Sequence, residues 1–106
     1  MSKLIGKYVI VRTYSAGVHC GVLAAQDWKE VRLTEARRIY RWTTELGEDL
    51  PAKRLSCHEL ALHGMGDGGA ISETVTEIEL AERIETIPCT PKAEQQLRTT
   101  PPRALQ

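Results

Sequence analysis

The sequence predicts a single α+β domain: a mostly antiparallel sheet of about five or six strands with two short helices. Three observations carry this. Two runs of apolar and β-branched residues, Tyr8–Thr13 and Val18–Leu23, flank a Ser15-Ala16-Gly17 interruption in the pattern of a β-hairpin. Two later stretches open like helices, Ser56-Cys57-His58-Glu59 with capping-box spacing and Thr90-Pro91 with an N-cap followed by proline at the first helical position. A chain of 106 residues is one domain long and has room for one modest core. The domain is expected over residues 1–98, with 99–106 as a disordered tail.

In the first strand Tyr8, Ile10 and Arg12 point one way, and Val9, Val11 and Thr13 the other. After the turn, Val18, Cys20 and Val22 share a face opposite His19, Gly21 and Leu23, and Gly21 marks a bulge or a close backbone approach. A second turn falls near Gln26–Lys29, although Trp28 is an odd residue where hairpins favour Gly or Asn. That Trp is either a contact residue or folded back on the sheet. Glu30–Leu33 reads as a third strand. Thr34–Trp42 fits a short helix or a turn followed by a strand, and its aromatic and β-branched content favours the strand, with Arg38, Tyr40 and Trp42 on one face and Arg37, Ile39 and Arg41 on the other.

Residues 43–55 read as a loop. The first helix runs from Ser56 to His63, burying Leu60 and Ala61, and Gly64 stops it. Gly64–Gly69 is a flexible loop without the ending of a phosphate loop. Ile71–Leu80 alternates with a phase slip between Val75 and Ile78 that a bulge would explain. Arg83–Ile87 is a further strand, and the last helix runs from Thr90 to about Arg98.

Phe is absent, so the core must come from Val, Ile, Leu and Ala with Tyr and Trp at its edges, and thin cores of this kind are often completed by oligomerisation. No apolar run is long enough for a membrane helix. Three cysteines argue against a secreted disulfide framework, and a cytoplasmic protein with reduced thiols is expected. Net charge is zero, which argues against strong nucleic-acid binding, but the charge is segregated. Residues 1–44 hold eight Lys/Arg against three Asp/Glu, and residues 71–89 hold one against five. This segregation gives either a basic pocket for a phosphate-bearing ligand or basic and acidic strands paired across the sheet.

The candidate ligand-binding residues are Arg12, Tyr14, Ser15, Gly17, His19, Arg37, Arg38 and Trp42. Arginine forks bind phosphates bidentately and aromatic faces stack on bases. The rival is a solvated strand face around an ordinary turn. No metal or other cofactor is expected: Cys57, His58, His63, Cys20 and Cys89 lack zinc-site spacing. Neither is catalysis, since His19 and Cys20 are strand neighbours and point to opposite faces.

At YVIVRTYSAGVHCGVL, KEVRLTEARRIYRW, LALHG and IETIPCTPKAEQQL the chain resembles a family of small uncharacterised proteins of tailed phages and prophages, over most of residues 7–97. Trp28 departs from the Gly usual in that family's hairpin turn, and residues 43–55 form a longer, more acidic insertion. The resemblance brings no activity with it. By analogy with other small β-rich phage proteins, it implies a homo-oligomer in the host cytoplasm that sequesters a nucleotide-like immune signal, such as a cyclic nucleotide or an ADP-ribose derivative. The alternative is a non-catalytic structural or protein-interaction module.

Overall fold

The computed structural model describes residues 3–42, 56–65 and 69–102. The expected loop at 43–55, part of the 64–69 loop and the end of the tail therefore lie outside the described residues.

Among the described residues six antiparallel strands form one sheet: β1 (Tyr8–Thr13), β2 (Val18–Asp27), β3 (Glu30–Arg41), β4 (Ala70–Ile71), β5 (Val75–Leu80) and β6 (Arg83–Pro88). Helices α1 (Cys57–His63) and α2 (Pro91–Thr99) complete an α+β fold. The order is β4-β3-β2-β1-β6, with β5 alongside the first half of β3 and β4 alongside its end. Because β5 leads through Ala81 and Glu82 into β6, which returns to β1, the sheet curls towards a barrel.

The curl explains why both faces are buried. Alternation sends Tyr8, Ile10, Cys20 and Ile39 to one face, where they meet Leu60, Met65 and Leu97 from the helical side. Val9, Val11, Leu23, Val31, Leu33 and Leu80 point to the other face and bury one another inside the bend. Gly21 sits at a close strand approach: a Cβ there would come within 2.8 Å of the Thr34 carbonyl oxygen, and the register shifts between Cys20 and Val22. Both readings of that glycine are thus met.

Thr34–Trp42 contains no helix and no full turn. β3 runs through it as far as Arg41, and Glu35 within it is held at φ 50. The expected bulge in the acidic segment is also absent. Residues 72–74 separate β4 from β5, and β5 keeps an unbroken register on β3, with Leu80 opposite Val31 and Val75 opposite Ala36. The phase slip in the sequence exists because Val75 faces outward and stays exposed.

Both helix caps form as written. The Ser56 hydroxyl oxygen accepts from the Glu59 N–H at 3.2 Å, and Gly64 adopts φ 87 beyond the last turn. The Thr90 side chain accepts from the Ala93 N–H at 3.1 Å. α2 extends one residue beyond Arg98, to Thr99.

Candidate functional site

The eight candidate residues separate into three places. Arg12 and Trp42 line a cleft beside the start of α1; its other walls are Val18, Ser56, Cys57, His58 and Glu85, and its volume is about 360 Å³. Tyr14, Ser15, Gly17, His19 and Arg38 gather at the β1–β2 turn. Arg37 belongs to neither group.

The cleft is assembled by strand pairing. Arg12 lies opposite Glu85 across β1 and β6, and its Nε donates to Glu85 Oε1 at 2.9 Å. Among the described residues only Nε is engaged, and the two terminal guanidinium nitrogens of this exposed side chain have no partner there. His58, from the first turn of α1, brings its Nε2 to 3.8 Å from Glu85 Oε2. Trp42 packs against the helix-side core, not beside Arg38 and Tyr40 as simple alternation predicts; a register irregularity between Ile39 and Arg41 accompanies the change of face. Its Nε1 is buried with no acceptor among the described residues. The Cys57 thiol is pushed up by burial and by the Glu85 carboxylate, against the pull of Arg12, so it stays protonated near neutrality.

At the β1–β2 turn, the Thr13 hydroxyl donates to the Gly17 carbonyl at 2.7 Å and accepts from the Ala16 N–H at 2.9 Å. Gly17 adopts φ 88 and lies under the Arg38 guanidinium. Arg38 spans towards the Tyr40 ring, with Cζ 5.2 Å from its centroid, and has no carboxylate partner among the described residues. The Ser15 hydroxyl donates to the Glu82 carboxylate. Tyr14 projects into solvent. His19 turns inward: its Nε2 lies 2.9 Å from the Ala16 carbonyl oxygen, and Nδ1 is buried without a partner among the described residues. Burial, then the nearby Arg38 charge, holds its pKa below the usual histidine value despite that backbone contact.

Arg37 is the correction. It is only 4% exposed, and its guanidinium is spent on main-chain carbonyls, Nε on Ser72 at 2.8 Å and Nη1 on Leu97 at 2.7 Å. It ties β3 to the end of α2, where carbonyls lack helical partners, and it has no surface to offer a ligand. The charge pairing weighed from the sequence does occur, with Arg12 on Glu85 and Arg32 on Glu77 across neighbouring strands. Cys20 and His19 point to opposite faces; Cys20 accepts from the Tyr8 hydroxyl at 3.3 Å, and burial pushes its thiol up to about 11. Among the described residues no three His, Cys, Asp or Glu side chains converge as metal ligands, and no helix is long and apolar enough to cross a membrane.

Sequence reasoning missed Glu85, Cys57 and His58. The helix start placed Cys57 and His58 on α1, but nothing local says that α1 docks beside Arg12, and Glu85 becomes relevant only once β6 is known to pair with β1.

A curled antiparallel sheet carrying a small helix layer, with an arginine- and indole-lined cleft at the layer's edge, defines a small α+β scaffold with a preformed recess. The chain belongs to the family described as Domain of unknown function (DUF6948), whose model matches residues 6–97. No curated protein and no solved structure matches it.

Proposed function

We propose that this chain is a non-catalytic binder that holds a small anionic, nucleotide-like ligand in the Arg12–Trp42 cleft, and that a phage uses it to sequester a host immune signal of that chemistry, a cyclic nucleotide or an ADP-ribose derivative. The observation that supports the reading is the cleft itself. Its 360 Å³ lies within the range of small-molecule sites, and it joins an arginine whose two terminal nitrogens have no partner among the described residues to a histidine and an indole. An anionic group meets the open fork of Arg12 while Glu85 holds its Nε, and Trp42 offers the apolar wall that a base or ribose requires. A protonated Cys57 makes a poor nucleophile, which fits holding a ligand better than cleaving it.

The test is a thermal-shift screen against cyclic nucleotides and ADP-ribose derivatives, since a ligand that binds only the folded state raises the melting temperature. For a ligand so found, Arg12→Ala loses roughly 10- to 150-fold in affinity and Arg12→Lys regains part of it. The ligand is recovered intact after denaturation. A panel with no shift, or binding indifferent to Arg12 and Trp42 in folded variants, removes the reading. The rival, a protein-interaction module, is favoured by the two most exposed aromatic side chains, Tyr14 and Trp28.

A further inference from the structure

Tyr14 and Trp28 are 80% and 76% exposed, far more than any core aromatic. They stand at the turns of two different hairpins, yet one peptide group ties those turns together. The Glu82 carbonyl accepts from the Tyr14 N–H at 3.0 Å, and the Arg83 N–H of the same peptide donates to the Lys29 carbonyl at 2.9 Å. Standard peptide dimensions then hold Tyr14 N and Lys29 O within about 8 Å of each other. Arg83 Nε also donates to the Trp28 carbonyl at 2.8 Å, and the Ser15 hydroxyl to the Glu82 carboxylate. Ile84, 44% exposed, follows directly. Trp28 itself holds φ 55, in the left-handed region that disfavours a residue with a Cβ. A strained turn that exposes an indole has a reason if the indole is a contact residue.

A second feature lies beyond α2. Thr100 has φ −66 and ψ 126, close to polyproline II, and Pro101 and Pro102 follow it, both exposed. Proline-rich segments of this form dock on aromatic side chains and bring no N–H donors to desolvate. Arg103 comes next in the sequence, and the carboxylates of Asp27, Glu30 and Glu82 adjoin the two turns.

We infer that the Tyr14–Trp28 platform receives the Thr100-Pro101-Pro102 segment of a second copy of this chain. The segment does not lie on its own platform: Pro101 and Pro102 are exposed, and so are Tyr14 and Trp28. The contact uses two different patches and is therefore head-to-tail.

The experiment is analytical ultracentrifugation of the full chain from 5 to 500 micromolar (about two decades of concentration), with circular dichroism confirming the fold. Wild type gives a mass that rises with concentration above the 11.8 kDa monomer. Trp28→Asn, which suits the positive φ and removes the ring, and Pro101→Ala/Pro102→Ala each stay monomeric. An equimolar mixture of these two variants recovers a dimer and nothing larger, because one supplies the platform and the other the segment. A wild type that remains at 11.8 kDa throughout, association that survives Trp28→Asn, or two folded variants that fail to complement each overturn the proposal.

Discussion

The two faces of the sheet bury their apolar side chains by different means. On one, Tyr8, Ile10 and Ile39 are covered by α1 and α2; on the other, Val9, Val11, Leu23 and Leu33 are covered by the sheet's own curl, with Leu4 and Ala16 packed against them. A Phe-free chain of this size thus makes two thin cores, one that depends on distant segments docking and one that depends on how tightly β2 and β3 bend. Arg37 and Arg38 display the difference. They are neighbours on β3, but Arg37 enters the helix-covered side and becomes a structural tie, whereas Arg38 stays at the rim and lies along Tyr40.

That contrast breaks or stands on a pair of substitutions. Arg37→Ala leaves the carbonyls of Ser72 and Leu97 without their charged donor and is expected to cost about 3 kcal/mol, lowering Tm by roughly 10–20 °C. Arg38→Ala removes only an exposed ring contact and costs under about 1 kcal/mol. Thermal and urea melts measure both, and equal losses would erase the distinction between the faces. The bend is probed next. Gly21→Ala drives a methyl into the Thr34 carbonyl and costs about 1–3 kcal/mol, while Gly17→Asn, which tolerates the positive φ and meets only the movable end of Arg38, costs under about 1 kcal/mol.

A smaller effect separates the faces by pH. His19, on the curled side, has a folded pKa below its unfolded value near 6.5. Below that pH the unfolded chain binds the proton more readily than the folded one, so stability falls as pH drops through 6.5 and towards the lower folded pKa. His19→Gln is expected to flatten that part of a stability–pH curve measured by urea melts; an unchanged slope would place the titration elsewhere. The smallest effect belongs to the cleft: Arg12, exposed and paired with Glu85, is expected to change stability by only about 0–1 kcal/mol when replaced by Ala. A larger loss in equilibrium unfolding would mean that Arg12 holds the helix layer and is not free to serve a ligand.

Local elements are legible wherever a few neighbouring residues suffice to form them. The alternation of Tyr8–Thr13, the capping box at Ser56 and Glu59, the Thr90-Pro91 start and the Gly64 stop all appear as written, because backbone hydrogen bonds and side-chain caps close within one turn or one hairpin. The sequence also separated Arg12 from Val11, and Arg37 from Arg38, correctly by face. Tertiary structure decided what those faces meet. α2 docks its last carbonyls on Arg37 and removes it from the surface; the β3–β4 irregularity swings Trp42 from Arg38 to Arg12; β6 returns to β1 and gives Arg12 its partner, Glu85. Each of these joins residues at least thirty positions apart or turns on a single-residue slip in register, and period-two patterning carries no record of either, because a strand's alternation is the same whichever neighbour it pairs with.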